Sequence, residues 1–159
     1  MKIVISNDHA AVDMKFEIKA YLESLGHEVI DVGAQDSTSC HYPEYGAKAG
    51  RMVADGEADC GVLICGTGVG ISIAANKIHG VRAAVCSEPV TARLVKEHNH
   101  ANMIAFGERI VGIETAKAIL DAWLGAECMG GRLQLRVDKL DAMLHCSRKN
   151  GLEIYTFFL

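Results

Sequence analysis

The sequence predicts an α/β fold: a three-layer sandwich around a five-stranded parallel sheet, Rossmann-like in architecture. Three observations carry that expectation. Short apolar runs recur at 2–6, 28–33, 60–65, 81–86 and 102–106. The stretches between them place apolar residues at helical spacing. The runs themselves are continuous rather than alternating, as strands covered on both faces are. In chain order, "KIVIS" reads as the first strand. Over 11–25, Met14, Ile18, Tyr21, Leu22 and Leu25 share one helical face, and Gly26 stands where a left-handed C-terminal cap is wanted. The run 28–33 follows, then a helix over 43–55 closed by Gly56. The third strand, 60–65, ends on Cys65 and leads through a glycine loop into a helix that begins near Gly70. Strands at 81–86 and 102–106 and a helix over 112–124 complete the sandwich. "GGR" then breaks the chain before Leu133, Val137, Leu140 and Leu144, an apolar stripe at helical spacing. The final "SRKNGLEIYTFFL" has no usable periodicity.

With 159 residues, 50% hydrophobic and 23% charged, the chain has material for one core, read as a single domain over 1–146 with a tail over 147–159 of unassigned role. A net charge of −4 with both signs interspersed leaves no basic stripe. Nucleic acid and membrane are therefore not expected partners, and a small molecule is. The N-terminus lacks the cationic segment and apolar core of a leader, and no apolar run approaches spanning length, so a cytoplasmic protein is expected. Cys40, Cys60, Cys65, Cys86, Cys128 and Cys146 lack the regular spacing of a disulfide framework and read as reduced thiols.

The loop "CGTGVG" draws the chemistry. Gly66, Gly68 and Gly70 are spaced G-x-G-x-G after the third strand, not G-x-G-x-x-G after the first, and no Walker lysine follows. A nucleotide cofactor is disfavoured. A tight turn needing positive φ explains some glycines; three with a threonine also suit an oxyanion, held by successive N–H groups and a helix N-terminus. Cys65 closes a central strand beside those amides, where a thiolate is favoured and a ligand crevice opens. Thr67 offers a hydroxyl to the sulfur or to a substrate oxygen.

Other polar groups collect near strand ends. Asp8 and His9 follow the first strand, where aspartate also serves as a helix cap. His98, Asn99 and His100 precede the fifth, with capacity for proton transfer or hydroxyl binding. No metal site is expected from His-x-His without a helical i, i+4 partner or a C-x-x-C companion. Arg132 and Arg136 share one helix face, and Arg109 follows the fifth strand; guanidinium pairs grip phosphate, although surface solvation also explains them.

Taken together, "ICGTGVGISIAANK", "VRAAVCSEP", "EHNHAN", "GERIVG" and "GGRLQLRV" resemble the ribose-5-phosphate isomerase B family, which includes galactose-6-phosphate isomerase subunits. The resemblance spans about 1–146. It implies interconversion of ribose 5-phosphate and ribulose 5-phosphate with no metal or cofactor, in homodimers, sometimes paired into tetramers, whose active sites are shared between subunits. By the same resemblance, Cys65 removes the proton at C2 with help from Thr67, and the amides of Gly66, Gly68, Val69 and Gly70 stabilise the enediolate oxygen. His98, assisted by Asp8, opens the furanose ring. Asn99 and Tyr42 hold sugar hydroxyls or line the pocket, and His9, Arg109, Arg132 and Arg136 bind phosphate. The family's pentose isomerases usually show Asp-Tyr-Pro where this chain has His41-Tyr42-Pro43, Asn-Asp at Asn99-His100, and Gly-Arg-His at Arg132-Leu133. His41 resembles the galactose-6-phosphate subunits. Allose 6-phosphate, galactose 6-phosphate or a tetrose phosphate is therefore the alternative substrate. A non-catalytic sugar-phosphate sensor and a redox-sensing thiol protein are the readings from other classes.

Overall fold

The structure, a computed structural model, describes residues 1–143. Leu144, Cys146 and the tail 147–159 lie outside the described residues. The element order is β1 (Lys2–Asn7), α1 (Val12–Ser24), β2 (Glu28–Asp31), α2 (Tyr42–Ala54), β3 (Cys60–Cys65), α3 (Val69–Ala75), β4 (Ala83–Val85), α4 (Pro89–Asn99), β5 (Met103–Gly107), α5 (Ile113–Leu124) and α6 (Arg132–Ala142). All strand pairs are parallel and the sheet order is β2-β1-β3-β5-β4.

Alternating strand residues feed two cores, which makes the three layers. Ile3, Ile5, Val62, Ile64, Ile104 and Phe106 pack against α1, α4 and α5. Val4, Leu63, Cys65, Met103 and Ala105 face α2 and α3. Every residue of β3 is buried, as a central strand between two helical layers requires. α6 packs outside, on α4, and Arg82 Nη1 holds Asp141 at 3.0 Å to pin it there.

Some expectations shift at the edges of the sheet. The run 81–86 narrows to Ala83–Val85, because Val81 turns back to the Ile78 carbonyl and the Arg82 amide is taken by Asn102 Oδ1 at 2.8 Å. In α1, Leu25 lies past the last turn and is exposed, whereas Lys15 is fully buried. Its ammonium bonds Asp31 Oδ2 at 2.7 Å and lies 3.8 Å from the Phe16 ring centroid. A buried cation is tolerated only with such a partner. No helix among the described residues is long and apolar enough to cross a membrane.

Candidate active site

In this order the sheet changes direction of growth between β1 and β3, and ligands of open α/β sheets sit outside the strand C-termini at such a point. Asp8 and Cys65 flank it, tied by the Asp8 amide donating to the Ile64 carbonyl at 3.3 Å. Asp8 is buried, and its Oδ1 accepts from the Ala10 amide at 3.0 Å, the local turn that leads into α1.

Cys65 retains 5% of its surface, and its sulfur turns up into the glycine loop, accepting the Gly68 N–H at 3.1 Å. An amide proton aimed at sulfur stabilises the anion more than the thiol. Gly68 adopts φ +78°, and a Cβ there would stand 2.7 Å from the Phe106 carbonyl carbon, so both conformation and space require glycine. Gly70 serves differently: a Cβ would meet the Tyr42 ring at 2.9 Å. The first residue of α2 is thereby brought over the loop. Gly66 lies under the Arg109 guanidinium, with a would-be Cβ 3.4 Å from Cζ, and the Arg109 amide donates to the Gly66 carbonyl at 3.1 Å. Thr67 and Val69 are exposed, and the Val69 amide leans on Thr67 Oγ1 at 3.4 Å. α3 has only seven residues, so the dipole contribution expected from a longer helix is small and the loop amides carry the local positive potential.

His9 opens onto an adjoining cleft of about 440 Å³ that also contains Asp13, Asp36, Ser37 and Glu108. Asp8, His9, Tyr42, Cys65, Arg109 and the loop 66–70 thus gather at one end of the sheet.

The remaining candidates do not join them. α4 runs back to the strand N-termini, so His98 and Asn99 stand before Met103, which pairs with Gly61, while Cys65 pairs with Gly107. Four residues of strand separate the two ends by roughly 13 Å. His100 caps α4 in the left-handed region at φ 50°. Its ring nitrogen Nε2 lies 2.8 Å from the Met129 carbonyl, and the Met129 amide donates to the Glu97 carbonyl at 2.9 Å. That tether leads the chain into α6 and sets Arg132 and Arg136, both exposed, on the His98–Asn99 side. The candidate residues of one chain therefore fall into two groups at opposite ends of its sheet.

The profile described as Ribose/Galactose Isomerase matches residues 3–140. The chain belongs to this family. Similar members include ribose-5-phosphate isomerase B of Escherichia coli, 54% identical over 89% of this chain and 95% of that protein. Another is galactose-6-phosphate isomerase subunit LacB of Clostridium acetobutylicum, 50% identical over 80% of this chain and 73% of that one. The solved ribose-5-phosphate isomerase B of Clostridium thermocellum superposes with TM-score 0.88 at 50% identity, covering 89% of this chain and 96% of the other.

Within this ribose/galactose isomerase fold, sequence reasoning passed over Cys40 and Glu108. Cys40 contacts His9 through its amide and its sulfur. Burial, reinforced by Asp13, Asp8 and Glu17, holds the Glu108 carboxyl above the usual glutamate range, against the pull of the Met14 amide. Its Oε2 is buried with no hydrogen-bond partner among the described residues. Cys40 stands in no motif; Glu108 lies within "GERIVG", where its adjacency to Arg109 was the available signal. Among the described residues, no three His, Cys, Asp or Glu side chains are clustered so as to hold a metal ion.

Proposed function

We propose that this chain is an aldose-ketose isomerase of sugar phosphates, interconverting ribose 5-phosphate and ribulose 5-phosphate through an enediolate without metal or cofactor. The observation that carries the reading is the Cys65 sulfur held by the Gly68 amide at 3.1 Å, at the sheet's change of direction. Family membership and the similarity to the Escherichia coli enzyme support the substrate class.

As a thiolate, Cys65 takes the C2 proton of the open-chain aldose. The C–H electron pair forms the C1–C2 double bond, and the carbonyl pair moves onto O1. Loop amides of Gly66, Val69 and Gly70 stabilise that oxyanion, while the Gly68 amide attends the sulfur. Thr67 assists proton movement between the two oxygens, and the Cys65 thiol returns its proton to C1. His98, with Asp8, opens the ring beforehand; Asn99 and Tyr42 hold hydroxyls; His9, Arg109, Arg132 and Arg136 take the phosphate. The two groups of candidate residues, read as half-sites, support a homodimer in which each site takes Cys65 from one copy and His98, Asn99, Arg132 and Arg136 from the other.

A galactose 6-phosphate reading is favoured by His41 and by the similarity to subunit LacB. A turnover panel of ribose 5-phosphate, galactose 6-phosphate, allose 6-phosphate and a tetrose phosphate, with and without chelator, separates the two. The expected result is highest kcat/KM on ribose 5-phosphate, unchanged by chelator. Higher kcat/KM on a hexose phosphate overturns the substrate assignment, and loss of activity in chelator overturns the metal-free mechanism.

A further inference from the structure

Two groups of Cys40 meet one nitrogen of His9. The main-chain N–H of Cys40 donates to His9 Nδ1 at 3.2 Å, and the Cys40 sulfur lies 3.7 Å from the same atom. Cys40 is also a neighbour of the Tyr45 hydroxyl, which it holds above the usual tyrosine range. Tyr45 belongs to α2, and its carbonyl accepts from Ser6 Oγ at 3.1 Å. Cys40 thus lies between the imidazole and α2, and Ser6 ties α2 to β1.

A ring nitrogen that accepts a hydrogen bond carries no proton, and a neutral imidazole then bears its single proton on the other nitrogen. We infer that Cys40 is a positioning residue that fixes His9 as the neutral Nε2–H tautomer, so that the ring meets a substrate oxyanion as a directional hydrogen-bond donor rather than as a cation. This deepens the proposed phosphate-binding role of His9 and rests on it. The ionisable groups around the ring are Asp13, Asp36 and Glu108, which line its cleft, and Asp8 beside it in sequence. All are acids. A proton on Nδ1 is opposed by the Cys40 amide, because an Nδ1–H would face its N–H donor to donor. Positive charge for the phosphate is left to the guanidinium groups, and direction is left to His9.

The test begins with two-bond ¹H–¹⁵N spectra of the full-length, ¹⁵N-labelled protein, with His9 assigned by its disappearance in His9→Gln. Nδ1 should resonate as an unprotonated nitrogen and Nε2 as a protonated one. The opposite pattern, or two protonated nitrogens at neutral pH, overturns the inference whatever the substrate. The second arm uses ribose 5-phosphate turnover. In His9→Gln the amide nitrogen reaches the place of Nε2; in His9→Asn the amide oxygen still takes the Cys40 N–H, but nothing donates from that place. KM should be about tenfold higher in His9→Asn than in His9→Gln, with Tm and kcat alike in the two, as loss of one hydrogen bond to a charged oxygen implies. Equal KM values, both raised, overturn the donor role. Unraised KM values in both variants, with the NMR pattern intact, overturn the phosphate-binding reading of His9 while the tautomer assignment stands.

Discussion

A partly buried carboxyl whose acid form is favoured draws stability from low pH. For Glu108 the raised folded value means that the native chain holds its proton where the unfolded chain has lost it. That contribution is complete below the ordinary glutamate range and disappears as pH rises through the folded value. Glu108→Gln keeps the shape and removes the titration, so its Tm should exceed the parent's at pH 8 and not at pH 4, as scanning calorimetry would record. Equal Tm differences at both pH values would show that folding leaves the titration of this carboxyl unchanged. At this scale the sequence was legible where a residue's place in an element determined its surroundings. Cys65 ends a strand beside glycines, and Asp8 follows one; both sit where that position implies. Lys15, Cys40 and Glu108 were not legible, because each draws its state from partners far along the chain: Asp31 for Lys15, His9 for Cys40, and the start of α1 for Glu108.

Elements were legible in proportion to their burial. β3 spans Cys60–Cys65, the run that its uninterrupted apolar character marks, and α5 starts within a residue of expectation. β4, at the edge of the sheet, is half its expected length, since side-chain bonds from Asn102 and Asn76 substitute for part of the ladder. The loop between β3 and α3 was legible as a glycine requirement, though the glycines divide their work: Gly68 for conformation and Gly70 for the approach of Tyr42. Gly68→Ala should therefore cost about 1–3 kcal/mol in urea unfolding, through a strained positive φ and contact with the Phe106 backbone. A loss below a few tenths of a kcal/mol would mean that the loop can adopt another path. Because the displaced amide is the one that holds Cys65, kcat should fall in the same variant.

At the scale of the molecule, α4 carries His98 and Asn99 away from Cys65, and α6 carries Arg132 and Arg136 to join them. Topology of this kind was not legible from local pattern, since parallel strands with returning helices place alternate connections at opposite ends of the sheet. Shared sites predict complementation. Inactive Cys65→Ala and Arg136→Ala proteins, coexpressed so that copies mix, should regain about a quarter of parental activity, because half of the dimers formed at random carry one intact site. No regain would place every group within one chain and contradict the two half-sites. The chemistry itself is tested most directly by deuterium entering ribose 5-phosphate at C2 from heavy water, measured by NMR on Cys65→Ala. The account predicts that this variant binds the sugar phosphate as tightly as the parent while exchange slows by about 10²- to 10⁴-fold; exchange at the parental rate would contradict a thiolate base.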